Sequence, residues 1–436
     1  MGLAQATAAN MLNMIGIGPF ITIPLILATM GGPQAMLGWL LGLLLAVCDG
    51  LVWAELGAAM PGPGGSYIYL REAFGPRTWG RLMSFLFIWM IVFSAPLSAA
   101  SAAVGFADYL KYLWKGMTYP QSVGVAMAAC VLVTILLYRN IESVGWLSVG
   151  MLTVAVATTL WVIGAGLLNF NVRQVFDFPP NAFRMDRPFF QALGAATLIA
   201  IYDYGGYNNI CFLAGEVKDA PRTVPRAVIL SIIAVAAIYL LMTTSIIAVV
   251  PWQEAMKSTA VASDMLGRLY GAWAGNAMTV LILATTFAAL FALMLGYTRI
   301  PYAAAVDGRF FSAFGKLHPT GRFPHVSLLV LAGLSMLLCV FKLGEIISSL
   351  IVIQTVVQVL AQIVAVTMIR RYRPDIHRPF KMWLYPLPSI VAFVLWSYVV
   401  ATSGWRYIAG GVTVLVVGII LFLWRSKVNR EWPFAA

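Results

Sequence analysis

Apolar runs of about 20 residues recur along the whole chain, and they limit its fold more than any other feature. A helix of that length spans the roughly 30 Å hydrocarbon core of a bilayer. Open sheets are excluded there because their edge amides would stay unpaired, and a β-barrel would show alternating polarity. The sequence therefore predicts an all-α integral membrane protein with twelve transmembrane helices. They are centred near Pro19, Leu44, Met90, Leu132, Ala157, Leu198, Ala237, Ala288, Leu334, Val356, Leu395 and Val416.

Composition agrees with this fold class. The 436 residues are 61% hydrophobic and 10% charged, whereas soluble domains carry roughly 25% charged residues. The first apolar run lacks a basic preceding region and is of spanning length, so we expect it to stay in the membrane.

The formal net charge is +12, and its distribution indicates topology. Loops on the side shared by both termini hold 19 of the 28 Lys and Arg residues, and the opposite side holds nine. The positive-inside rule therefore predicts a multi-pass protein of the cell membrane with both termini in the cytoplasm. The basic excess gives no reason to expect a nucleic-acid partner, and the partners we expect are the lipid bilayer and a small-molecule substrate.

The four cysteines, Cys48, Cys130, Cys211 and Cys339, lie within predicted spans or at their edges. Buried thiols behave as small hydrophobic groups. Their spacing suits neither a metal site nor a disulfide framework. We therefore expect no metal, no cofactor and no catalytic residue, and no oligomeric state is favoured.

Two predicted spans carry residues that interrupt a helix near mid-membrane. The first has Gly16 and Gly18 followed by Pro19, and the sixth has Gly205 and Gly206. Within a helix, Gly costs about 1 kcal/mol relative to Ala and Pro about 3 kcal/mol, although Pro is tolerated in a first turn. Interruptions at matching places in two halves indicate an inverted-repeat transporter site. The alternative is that the glycines only permit close helix packing.

Several motifs occur in an order that resembles the amino acid–polyamine–organocation superfamily. They are Gly16-Ile17-Gly18-Pro19-Phe20 with Pro24; Ala54-Glu55-Leu56 through Pro61, Gly64, Gly65, Ser66, Tyr67 and Arg71-Glu72-Ala73-Phe74-Gly75-Pro76; Gly215-Glu216-Val217 with Pro221 and Pro225-Arg226-Ala227; and Arg299 through Asp307-Gly308, His318-Pro319 and Pro324. A further stretch, Arg371-Tyr372-Arg373-Pro374-Asp375 with Arg378-Pro379-Phe380-Lys381 and Pro386, is similar to the L-type amino acid and plant-type polyamine branches.

The resemblance implies a single transmembrane transporter domain over residues 1–436. Its first ten helices would form two inverted five-helix repeats, residues 8–168 and 189–370, with helices 1 and 6 broken. Residues 385–424 would supply two additional helices.

The resemblance also implies a substrate site between the two breaks. A substrate carboxylate would take N–H groups of the first break, and an ammonium would take carbonyls of the sixth. The residues implied are Ile15, Gly16, Ile17, Gly18, Tyr202, Asp203, Gly205, Gly206 and Tyr207. Ile17 stands where relatives often have Ser, and Pro19 lacks an N–H, which weakens the carboxylate site.

Asp203 is the main candidate for a functional charge, because an ionisable group at mid-membrane is costly. It would pair with a substrate amine or carry a coupling proton; the alternative is a protonated or hydrogen-bonded aspartate that faces the bundle. Relatives usually have a small residue there. Asp49 is a candidate for gating or for structure, and Glu55 is expected to pair with arginines of a loop.

The coupling ion, H⁺ or Na⁺, stays open. The fifth span has no Lys or Arg between Gly145 and Asn171, so the cation that many relatives place there is absent. Thr285 and Thr286 in the eighth span offer hydroxyls to sodium, but such threonines more often bond carbonyls of their own helix. Proton coupling, exchange and facilitated diffusion are the other possibilities.

These features predict a secondary transporter, a permease or exchanger, that moves amino acids by alternating access. The alternative is a transporter of polyamines or other organic cations that uses Asp203. A membrane enzyme is disfavoured because the three histidines lie in or beside loops and no catalytic motif is present. A channel or a non-transporting sensor is a remote alternative.

Overall fold

A computed structural model describes residues 1–16, 18–62, 64–138, 144–319 and 323–434, without the side chains of residues 144–153. The described residues form helices and no β-strand. The α-helices in chain order are α1 (Leu3–Met14), α2 (Gly18–Met30), α3 (Met36–Ala59), α4 (Ser66–Phe74), α5 (Trp79–Leu110), α6 (Tyr119–Leu137), α7 (Val144–Leu168), α8 (Val172–Val175), α9 (Arg187–Tyr204), α10 (Asn209–Phe212), α11 (Ala220–Val249), α12 (Trp252–Ala255), α13 (Val261–Tyr270), α14 (Ala272–Tyr297), α15 (Arg299–Val306), α16 (His325–Leu338), α17 (Leu343–Gln354), α18 (Leu360–Tyr372), α19 (Leu387–Ser403) and α20 (Trp405–Val428). Short 3-10 helices cover Pro33–Ala35, Ala214–Glu216 and Ser312–Gly315, and a π-helix, Thr355–Val359, joins α17 to α18.

Seven helical stretches in the described part of the chain are long and apolar enough to cross a membrane. They are Pro33–Ala59, Trp79–Leu110, Tyr119–Leu137, Ala220–Val249, Ala272–Val306, Leu343–Tyr372 and Trp405–Val428. The bent pair α1–α2 makes an eighth if it is one span, and Val154–Leu168, α16 and α19 are shorter apolar helices. An all-α membrane protein is therefore confirmed, while the count of twelve spans and the inverted repeats stay predictions.

The first predicted span is interrupted where its glycines and proline lie. Helix α1 ends at Met14, α2 begins at Gly18, and the two axes differ by 52°. Pro19 is the second residue of α2, where its missing N–H costs no hydrogen bond because first-turn N–H groups have no partner within the helix.

The sixth predicted span is also interrupted, but its second part differs from a simple continuing helix. Helix α9 ends at Tyr204, residues 205–208 form turns, and α10 is only four residues long before the 3-10 turn at Ala214–Glu216. The chain after the break is therefore irregular, and its backbone groups need partners from other elements.

Helix α3 packs closely against α9 and α11, and it therefore lies beside the second break. Glycines on α3 make this approach possible. A Cβ built on Gly38 would lie 2.9 Å from the Cβ of Ala196, and one built on Gly42 would lie 3.2 Å from the Cβ of Ala200. Small residues facing one another allow the backbones of membrane helices to pack closely.

A buried ion pair ties the end of α3 to the end of α18. The Glu55 carboxylate accepts hydrogen bonds from Nε and Nη2 of Arg370 at 2.7 and 2.6 Å, and from the backbone N–H of Met382 at 2.8 Å. Glu55 is 1% exposed. The expected arginine partner is present, although it lies in the last turn of a helix, and its guanidinium also stacks on Tyr385.

We expect Arg370→Met to destabilise the protein by about 3 kcal/mol, because it leaves the Glu55 carboxylate buried without its cation. Thermal unfolding of the purified protein in detergent measures this loss. The double variant Glu55→Gln/Arg370→Met removes both charges and should recover much of the melting temperature. A double variant no more stable than Arg370→Met would contradict this account of the pair.

Candidate functional site

The two helix breaks lie against each other, and a tyrosine joins them. The Tyr239 hydroxyl on α11 is 2.6 Å from the carbonyl oxygen of Met14, at the end of α1, and 3.1 Å from that of Asp203, near the end of α9. Its single proton serves two carbonyls that the breaks leave without helical partners. Tyr239 is 1% exposed, so it replaces water as the donor at this joint.

Glycine is required where the backbones of the two breaks meet. Gly206 has φ of +116°, and a Cβ built on it would lie 3.0 Å from Nδ2 and 3.1 Å from the carbonyl carbon of Asn13. A side chain at this position would both strain the backbone and push the breaks apart. The neighbouring Gly205 is exposed, and Gly16 is half-buried.

Asn10 on α1 supplies partners for the chain after the second break. Its Nδ2 donates to the carbonyl of Tyr207 at 2.6 Å, and its Oδ1 accepts from the N–H of Ile210 at 2.8 Å. The side chain is fully buried. Sequence reasoning missed Asn10; the only signal was an amide within an apolar segment three residues before Asn13.

Asp203 lies at the centre of this arrangement. It is 3% exposed, and its Oδ2 lies 2.5 Å from the hydroxyl of Thr22 on α2. That hydroxyl is also 3.0 Å from the carbonyl of Gly18. In the part of the chain that the structure describes, the other oxygen, Oδ1, has no hydrogen-bond partner and no cation pairs with the carboxylate.

The Thr22 hydroxyl suits both protonation states of Asp203. Against an ionised carboxylate the hydroxyl donates to Oδ2. Against a carboxylic acid it accepts the acid proton and donates instead to the carbonyl of Gly18. The geometry thus permits pairing with an amine and carriage of a proton, the two roles considered from the sequence.

Asp49 on α3 has a different environment. It is 2% exposed, and its Oδ2 accepts a hydrogen bond from the hydroxyl of Tyr207, the residue that follows the second break. The structure therefore brings two candidate residues together and ties the chain after the break to α3.

The remaining candidates have the following places. The hydroxyl of Tyr202 lies 2.9 Å from that of Ser101 on α5. Ile15 is buried beside the end of α1. Ile17 lies outside the described residues.

The two threonines of the eighth span bond within their own helix. Thr285 donates to the carbonyl of Leu281 at 2.8 Å and Thr286 to that of Ile282 at 2.6 Å. Among the described residues, no hydrogen bond joins either hydroxyl to α2 or α9. This is the local bonding common for threonine in membrane helices.

An open cavity of 530 Å³ lies away from the breaks, at the end of α3. The charged side chains around it pair with one another: Glu72 lies 2.8 Å from Arg71 and 3.3 Å from Arg373. Arg373 also lies 2.9 Å from Asp375, and its hydrogen bond lowers the pKa of that carboxyl. These pairs leave little charge for a ligand, so the breaks are the better candidate site.

Comparison with known proteins decides the family. The family model described as amino acid permease matches residues 1–424. The chain belongs to the amino acid permease family. The resemblance to the amino acid–polyamine–organocation superfamily is confirmed, and so is the exclusion of an enzyme, because the family consists of transporters.

Curated relatives of this permease match nearly the whole chain. Human Asc-type amino acid transporter 1 is 28% identical over 448 residues, covering 98% of this chain and 83% of the relative. Human large neutral amino acids transporter small subunit 2 is 26% identical over 449 residues, covering 98% and 81%. Mouse solute carrier family 7 member 13 is 26% identical over 391 residues, covering 88% and 80%.

We expect Tyr239→Phe to slow transport by the permease, because it removes the donor shared by the two breaks. Tyr109→Phe is a matched control: Tyr109 is also fully buried and donates to one carbonyl, that of Phe20, at 3.0 Å. Each variant should lose about 1 kcal/mol of stability. Only Tyr239→Phe should also change the rate of solute exchange in proteoliposomes. If Tyr109→Phe changes that rate equally, the hydrogen bonds of Tyr239 to the two breaks have no special role in transport.

Proposed function

We propose that this permease is a secondary transporter that moves amino acids, or amines related to them, across the cell membrane by alternating access. The observation that carries the proposal is the meeting of two interrupted helices around a buried carboxylate, one oxygen of which has no partner among the described residues. Interrupted helices free backbone donors and acceptors for a small charged solute. The names of the relatives, which are amino acid transporters, support the same class of solute.

Burial of the site favours alternating access over a continuous pore. Asp203 is 3% exposed, so a solute reaches it only when the surrounding helices move. Two inverted repeats over residues 8–168 and 189–370, followed by two helices over 385–424, would supply that movement by tilting against each other. Twelve spans with both termini in the cytoplasm complete this proposed architecture.

A specific observation favours amines as the alternative solute. The free Oδ1 of Asp203 lacks a cation in the described structure, and a buried carboxylate is stabilised by one. A protonated Asp203 would meet the same need and would couple transport to protons. Both possibilities place the decisive chemistry on Asp203.

We expect solutes of the right class to raise the melting temperature of the purified permease. A ligand present at 100 times its Kd adds about 2.7 kcal/mol of stability. The measurement is thermal unfolding in detergent with the standard amino acids and a series of amines, with and without sodium and at two pH values. Solutes that stabilise should also be taken up by proteoliposomes; absence of any response would contradict the proposed function.

A substitution at the first break gives the matched control for this experiment. A Cβ on Gly18 would collide with Oδ1 of Asp203, whereas a Cβ on Gly124 in α6 would meet no atom within 4 Å. Gly18→Ala should therefore abolish the response to ligand, and Gly124→Ala should keep it. If both variants lose the response to ligand, the loss reflects general instability of the protein and not the collision with Asp203.

The proposed topology predicts which introduced cysteines are labelled from outside the cell. All four native cysteines are buried, so background labelling is low. Met185 is 75% exposed and the Arg222 side chain 78% exposed. A membrane-impermeant maleimide should label Met185→Cys in intact cells and Arg222→Cys only after permeabilisation; the reverse pattern would overturn the cytoplasmic placement of the termini.

A further inference from the structure

The Asp203 carboxylate lies against the side of the first two turns of α2, beside Gly18 and Thr22 and close to the helix start, which attracts anions. Helix α2 begins at Gly18 and has 13 residues. The Thr22 hydroxyl in its second turn contacts Oδ2, and Oδ1 occupies the space that a side chain on Gly18 would take. The start of a helix stabilises negative charge through its free N–H groups and its dipole.

The second observation is that this carboxylate is incompletely satisfied. Only 3% of Asp203 is exposed, and Oδ1 has no hydrogen-bond partner among the described residues. A buried carboxylate with a free oxygen and no cation calls for a positively charged partner. An ammonium group has three donors and a backbone carbonyl has two lone pairs. The ammonium could therefore bond Oδ1 together with a carbonyl at the end of α9, such as that of Asp203, which already accepts a hydrogen bond from Tyr239.

A zwitterionic amino acid would bring its own carboxylate close to Asp203. A solute carboxylate bound by the free N–H groups where α2 begins would lie within a few ångströms of Asp203, and two buried carboxylates that close together repel each other strongly. A solute with the same amine and side chain but no carboxylate avoids this conflict. The arrangement therefore distinguishes solutes by the group beside their amine.

We propose that the Asp203 carboxylate, fixed beside the start of α2, disfavours a second carboxylate there and so selects primary amines without a carboxylate over zwitterionic amino acids. This inference rests on the proposed function, because it assumes that solutes bind between the two breaks. It assigns Asp203 as the specificity-determining residue and narrows the solute to decarboxylated or amidated amino acids.

The test compares matched solutes that differ only at the carboxylate. Leucine, leucinamide and isoamylamine form one set, and arginine, argininamide and agmatine form another. Binding is read from thermal stabilisation of the full chain in detergent, and transport from uptake by proteoliposomes. In the wild type, the amide and the amine should act at concentrations about tenfold or more below those of the parent amino acid, given the strength of repulsion between buried like charges.

Removing the Asp203 carboxylate should change the order in which the protein prefers amine, amide and amino acid. Asp203→Ala removes the carboxylate that lies beside the start of α2, so the parent amino acid should gain at least about tenfold in apparent affinity relative to its decarboxylated amine. Asp49→Asn is the control, since it neutralises the other buried aspartate, which Tyr207 already satisfies. That control should keep the wild-type order of solutes whatever it does to the rates.

The outcomes separate the inference from the proposed function. A wild type that binds the amino acid as tightly as its amide, or an Asp203→Ala variant with the wild-type order, would overturn the inference alone. Failure of every solute to stabilise or enter would overturn the proposed function and the inference with it. If Asp203→Ala does not fold, the wild-type order of the two matched sets still decides.

Discussion

The need to satisfy backbone polar groups away from water governs this fold. An uninterrupted helix meets that need within itself, which is why helices can cross a bilayer. Each interruption frees carbonyls and N–H groups that other parts of the chain must bond. Tyr239 serves the carbonyls of Met14 and Asp203, and Asn10 serves the chain after the second break. The two broken segments are held together by the bonds that their interruption makes necessary.

The two buried aspartates differ in how fully they are satisfied, and this difference separates their roles. Asp49 accepts a hydrogen bond from Tyr207, so it helps to fix the segment after the second break against α3. Asp203 has one bonded oxygen and one free oxygen among the described residues. Incomplete satisfaction lowers stability, and such groups are retained where they serve binding or catalysis. Because one oxygen of Asp203 has no partner among the described residues, we propose Asp203 rather than Asp49 as the residue that meets a solute.

Local patterns in the sequence predicted the helices and both interruptions, because length, hydrophobicity and the cost of Gly and Pro act within a few residues. The residues that join the interruptions were not predicted. Tyr239 is 225 positions from Met14, and Asn10 is 200 positions from Ile210. A tyrosine in an apolar run is indistinguishable from one that only packs, and its hydroxyl acquires a partner only when the fold brings a free carbonyl to it. The charge at position 55 predicted an arginine partner, but tertiary packing alone selected Arg370, 315 positions away.

If the permease works by alternating access, as we propose, some of the same bonds have to rearrange during transport. The Glu55–Arg370 pair joins α3 to α18 away from the breaks, so it can persist while the site opens. The bonds of Tyr239, Asn10 and Tyr207 instead connect the breaks to α1, α3 and α11. In the proposed cycle, a solute would reach the buried Asp203 only if some of these bonds break. Each is a single neutral or charge-assisted hydrogen bond, worth about 1–3 kcal/mol, which is within the range that binding of a charged solute to the Asp203 carboxylate could offset.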